Sequence, residues 1–81
     1  MARYFFDLVD GGKTDKDDVG LEFEHLADAR AAAADALGDV TREVLPNGAR
    51  RHLVMKVRDI AGNYVHECSV DFNASDARGP E

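Results

Sequence analysis

The run Arg3-Tyr4-Phe5-Phe6-Asp7-Leu8-Val9 constrains this chain more than any other stretch, because its alternation leaves apolar groups on both faces of a strand. Tyr4, Phe6 and Leu8 point one way, and Phe5 and Val9 the other, since successive side chains of a strand take opposite faces. A strand apolar on both sides belongs in the middle of its sheet. Its second face then needs a cover, from within the domain or from a partner.

The 81 residues suffice for one domain, in which a fold buries roughly 60–65% of the unfolded surface and a single core supplies only a few kcal/mol. With 44% apolar and 32% charged residues, the chain has globular rather than disordered composition. No apolar run reaches the roughly 18 residues of a membrane span. Arg3 and Asp7 interrupt the first apolar stretch and no small-residue cleavage pattern follows it, so it does not read as a secretory signal. The single cysteine, Cys68, excludes an internal disulfide and fits a reducing, cytoplasmic setting. The net charge of −6 is concentrated early, with 7 acidic and 3 basic groups in residues 1–25. Such a surface repels a phosphate backbone, which makes nucleic acid a poor default partner.

After the first strand (about 3–10) the turn-rich segment 10–18 leads to Val19, Leu21 and Phe23 in alternation, which reads as a hairpin with a long, mobile acidic loop at 13–18. From Leu26 the period becomes helical. Leu26, Ala29, Ala33, Leu37, Val40 and Val44 share one stripe, while Asp28, Asp35, Asp39 and Arg42 lie opposite, and Pro46-Asn47-Gly48 supplies a stop. A second hairpin spans Arg51 to Phe72 around Asp59-Ile60-Ala61-Gly62-Asn63, whose Asp and Gly suit a type I turn closed by a glycine bulge. That turn puts Leu53, Met55 and Val57 out of step with Cys68, Val70 and Phe72. One inserted residue near His66-Glu67 restores the match. The elements therefore predict an α+β domain, β-β-α-β-β, over residues 1–73. Its four-stranded antiparallel sheet has the order 2-1-3-4 with the helix on one face, and residues 74–81 form a flexible tail.

Arg3-Tyr4-Phe5-Phe6 followed by Asp10-Gly11, the Asp18-x-Gly20-x-Glu22 segment, the Ala-rich helix with Ala29-Arg30, and the Asp59-x-x-Gly62 hairpin together resemble a family of short bacterial single-domain proteins of unknown function. The resemblance covers about residues 2–72. It implies no activity, cofactor or catalytic residue. His66 and Cys68 depart from the plain strand residues expected at their positions. A likeness of architecture alone, to the partial ribonuclease H-like fold of small antitoxins, offers a nucleic-acid-linked regulator as the alternative function; fold-level analogy does not carry function by itself.

The candidate chemistry is sparse. Asp15, Asp17, Asp18 and Gly20 resemble the start of a calcium loop, but Val19 and Leu26 occupy positions where oxygen ligands are required. His66-x-Cys68, with His25 or His52, offers soft zinc ligands without a second adjacent pair, and Cys68 reads better as a buried thiol than as a nucleophile. The basic cluster Arg50, Arg51, His52, Lys56 and Arg58 lacks the interleaved aromatics of an RNA-binding sheet and has Glu67 and Asp71 as cross-strand partners. Gly11-Gly12 lacks the strand-to-helix context of a phosphate loop. No catalytic, cofactor or metal residue is therefore assigned, no small-molecule ligand is identifiable, and the chain is expected not to be an enzyme. The expected function is a small protein-interaction module, binding a protein partner or a second copy through the face away from the helix. Phe5, Val9 and Val54 form its apolar patch, and Val65 joins them or the core according to the bulge. Asp7, Glu22, Lys56 and Arg58 are expected at the rim. On this reading Phe5→Thr weakens association and spares the fold.

Overall fold

A computed structural model of the protein describes residues 1–44 and 50–73. The expected helix stop at Pro46-Asn47-Gly48 and the tail 74–81 lie outside the described residues, as does the side chain of Val44. The elements are β1 (Ala2–Asp10), β2 (Lys13–Asp15), β3 (Leu21–Phe23), α1 (Leu26–Val44), β4 (Arg50–Asp59) and β5 (Tyr64–Asn73). The fold is α+β, with one helix against an open, fully antiparallel sheet. None of the described helical segments is long and apolar enough to cross a membrane.

The sheet has five strands rather than the four expected. Its order is β2-β1-β4-β5, with β3 also paired to β1. The difference arises because the return strand of the first hairpin is broken. β1 turns tightly through Gly11-Gly12, with Asp10 paired to Lys13, so residues 13–15 belong to a strand and not to a mobile loop. The chain leaves the ladder at 16–20 and rejoins it as β3, which pairs Leu21 with Tyr4 and Phe23 with Ala2. Three residues of β1, Phe5 to Asp7, thus stand opposite five.

The doubly apolar β1 sits centrally, between β2/β3 and β4, as its pattern requires. Its helix-facing side chains Tyr4, Phe6 and Leu8 pack against a buried cluster of Ala33, Leu37, Leu53, Met55 and Val57, which Cys68 and Val70 of β5 also join. Small Ala29 and Ala33 are fully buried and let the helix approach the sheet closely. Phe23 closes the cluster's end, edge-on to Phe6 at 6.0 Å between ring centroids. In the second hairpin the Gly62 N–H donates to the Asp59 carbonyl at 3.0 Å and Gly62 has φ +93°, the left-handed residue that a type I turn with a glycine bulge needs. The face-restoring insertion is present one position earlier than expected: Val57 pairs with His66 and Arg58 with Tyr64, which leaves Val65 as the extra residue.

Candidate functional site

On the face away from the helix, the register places Phe5, Arg58 and Tyr64 in one row, Asp7, Lys56 and Glu67 in the next, and Val9, Val54 and Ser69 in a third. Asp7 is not a rim residue there. It is fully buried. The 16–20 segment covers it, and the cover is polar.

Four hydrogen bonds converge on the Asp7 carboxylate. Arg58 Nε donates to Oδ2 at 3.0 Å and Arg58 Nη2 to Oδ1 at 3.2 Å. The Tyr64 hydroxyl donates to Oδ2 at 2.9 Å, and the backbone N–H of Asp17 to Oδ1 at 3.0 Å. Burial alone would raise the carboxyl's pKa, but the hydrogen bonds from Arg58, Asp17 and Tyr64 outweigh it and hold it at about 2. Hydrogen bonding to Asp7, with burial adding, pushes the Tyr64 hydroxyl above its ordinary range, so it stays a donor.

Asp17 ties the loop to the strand. Its Oδ2 accepts the Phe6 N–H at 3.1 Å, a donor on the stretch of β1 where the return strand is interrupted. Its Oδ1 accepts the N–H groups of Val19 at 3.0 Å and Gly20 at 3.1 Å, an Asx-type turn. Burial opposes the charge on Asp17, and these three N–H donors more than offset it, so this carboxyl too is held below its usual range. Gly20 follows at φ +73°, and a Cβ there would lie 2.8 Å from the Tyr4 carbonyl oxygen and 2.9 Å from the Phe5 ring. Only glycine fits this crossing. Arg58 completes the clamp: Nη2 donates to the Asp17 carbonyl at 2.9 Å, and its guanidinium lies 4.7 Å over the Phe5 ring. Lys56 Nζ lies 5.2 Å from the centre of the Tyr64 ring.

This arrangement clamps the 16–20 segment against the sheet. A carboxylate with four donors and a depressed pKa has no proton to give near neutral pH and no oxygen free to take one. Both Asp17 oxygens face N–H donors, the wrong polarity for a cation site. Among the described residues no three His, Cys, Asp or Glu side chains converge to hold a metal ion, and no pocket opens. His66 and Cys68 are half-buried on the helix side, opposite Val57 and Met55, whereas His52 lies on the other face opposite Asp71. Burial, and the charge of Glu67 next to it, push the Cys68 thiol up and away from thiolate chemistry. Of the basic cluster, Arg58 is spent on Asp7, and Arg51 bonds Asp10 at 2.9 Å.

Of the patch residues expected from sequence, Phe5, Val9 and Val54 share the face away from the helix, with the Asp7–Lys56 row between Phe5 and the Val9–Val54 pair. Phe5 lies half-buried between Arg58 and the Gly20 backbone, so Phe5→Thr removes packing as well as surface. Val9 and Val54 are direct neighbours, both half-buried, and Val65 is 39% exposed at the bulge. The polar cluster escaped sequence reasoning, although an aspartate inside an apolar central strand was its visible sign. The model of a domain of unknown function, DUF6894, matches residues 3–71, a span that includes every residue of the cluster. No curated protein and no solved structure matches the chain. With that span covering most of its length, the chain belongs to the DUF6894 family.

Proposed function

We propose that the protein is a non-catalytic, cytoplasmic interaction module that associates with a second copy of itself through the surface of its sheet. What supports this reading is the placement of its exposed apolar groups. Met1, Val19, Leu21, Ile60, Tyr64 and Val65 are the large hydrophobic side chains left exposed among the described residues, with Met1, Val19 and Ile60 each at least 75% exposed. The register gathers them at one end of the molecule. Tyr4 pairs with both Leu21 and Asp59, and Arg58 with Tyr64, so the start of β1, the start of β3 and the β4–β5 turn meet there. Arg3, Glu22 and Lys56 border this end with charge, giving the apolar centre and polar rim of a protein interface.

Of these, Ile60 and Val65 stand outside the core cluster, so their replacement separates binding from folding. The double variant Ile60→Ser/Val65→Ser is expected to keep the thermal midpoint within about 2–4 °C, as exposed substitutions do, while weakening self-association about tenfold. Molecular mass in solution as a function of concentration reads the outcome. A wild-type protein that stays monomeric at high micromolar concentration, or a variant that associates unchanged, overturns the reading.

A further inference from the structure

We propose that two copies associate face to face through the β4 and β5 surface turned away from the helix, about a twofold axis that runs along the strands between β4 and β5. The inference rests on the self-association reading above and names its geometry. The register sorts the polar groups of this surface by strand. β4 presents His52 and Lys56 there and β5 presents Glu67 and Asp71, with Lys56 opposite Glu67, His52 opposite Asp71, and Val54 opposite Ser69 between them. His52, Glu67, Ser69 and Asp71 are exposed, and Lys56 and Val54 are half-buried. These groups are not spent within the fold. The ion pairs of the described residues join Arg3 to Glu22, Arg42 to Asp39, Arg51 to Asp10 and Arg58 to Asp7, and none of them includes His52, Lys56, Glu67 or Asp71.

Complementary charge selects both the partner and the axis. Rotation about an axis along the strands lays β4 of each copy over β5 of the other and keeps every row at its own level. Lys56 then faces the other copy's Glu67, His52 its Asp71 and Val54 its Ser69, and the symmetry makes each contact twice. An axis across the strands would instead lay β5 over β5, acid on acid, and β4 over β4, base on base. Packed sheets stand about 10 Å apart, a span that a lysine and a glutamate bridge from opposite sides. The 16–20 segment does not obstruct the approach. It lies on the β1 side of this surface, bonded to Phe6 and Asp7, and so stands beside the other copy's β5 and not against its sheet. Because the rows keep level, the two β4–β5 turns lie at the same end of the pair, where Ile60 is 77% exposed and Tyr64 50%, and the polar seam runs into the apolar end of the molecule.

The test uses the whole chain and reads molecular mass in solution from low to high micromolar concentration, with circular dichroism to check the fold. Lys56→Glu alone and Glu67→Lys alone each set like charges together twice, and each is expected to weaken association at least about tenfold. In an equimolar mixture the two reversals face each other, and association is expected to return to within about threefold of the wild type. Mixing changes nothing inside either chain, so only a contact between copies responds to it. Single variants that associate as tightly as the wild type, or a mixture no tighter than its components, overturn the face-to-face seam and leave self-association standing. A wild-type chain that is monomeric throughout removes the self-association reading and the seam with it. Should Lys56→Glu fail to fold, His52→Glu mixed with Asp71→Lys, both at exposed positions, decides in the same way.

Discussion

The two edges of this sheet meet the same hazard differently. Along β1, the strand that would have extended the sheet is cut into two three-residue pieces, and the interval is sealed by a buried aspartate, an arginine, a tyrosine and the Asp17 turn. Along β5 the edge is long and regular, and no comparable device guards it among the described residues. The contrast teaches that the polar cluster does the work of a cover: it satisfies the Phe6 N–H of β1 where the return strand departs, at the cost of burying an ion pair.

The sealed edge should be the fragile one. Asp7→Ala removes the acceptor for Arg58, Tyr64 and Asp17 together and leaves a 17%-exposed guanidinium facing an empty site. The expected loss is about 3–5 kcal/mol, most of the stability of so small a domain, as read by urea unfolding. A loss below about 1 kcal/mol would break the comparison, because the cluster would then be incidental to the seal. Next in size is Gly20→Ala. A left-handed backbone and a Cβ at 2.8 Å from a carbonyl oxygen should cost about 1–3 kcal/mol and free the Phe6 amide to exchange faster, an effect that β5 amides should not share.

Acid sharpens the same contrast. The Asp7 pKa is about 2 in the folded protein against 3.8 for the free group, so the ionised form favours folding. Its contribution is complete above pH 4 and is lost as pH falls from about 4 through about 2, an expected decline of about 2 kcal/mol, with Asp17 shifted in the same sense. In Asp7→Asn that part of the acid dependence should disappear. The smallest effect belongs to the bare edge: Ser69→Lys should change monomer stability by no more than about 0.5 kcal/mol, since its side chain is exposed and bonded to nothing described. A larger loss would show that β5 is structurally committed in the monomer.

Much of the fold was legible from residues alone. The helix stripe of Ala29, Ala33 and Leu37, the glycine-bulge turn at 59–63 and the face-restoring insertion all follow from periodicity, because each depends on neighbours a few residues apart. The first hairpin misled for a local reason. Its acidic residues 13–18 read as one solvated loop at the hairpin tip, whereas Gly11-Gly12 already makes the turn and the loop is displaced into the return strand.

By itself the sequence determined the class of the domain, the central position of β1 and which side chains face the helix, since alternation and helical period are properties of a chain segment. It also held the conflict that the fold resolves, an aspartate in the middle of a doubly apolar strand. Only the tertiary structure decided that Asp7 is buried, that Arg58 and Tyr64 from 51 and 57 residues away meet it, and that the edge beside β1 is sealed while that of β5 has no partner strand among the described residues. The physical reason is that a pattern assigns a residue to a face, whereas burial depends on which distant segment crosses that face. Here that segment is five residues long and is held by hydrogen bonds that exist only once β1, β4 and β5 lie side by side.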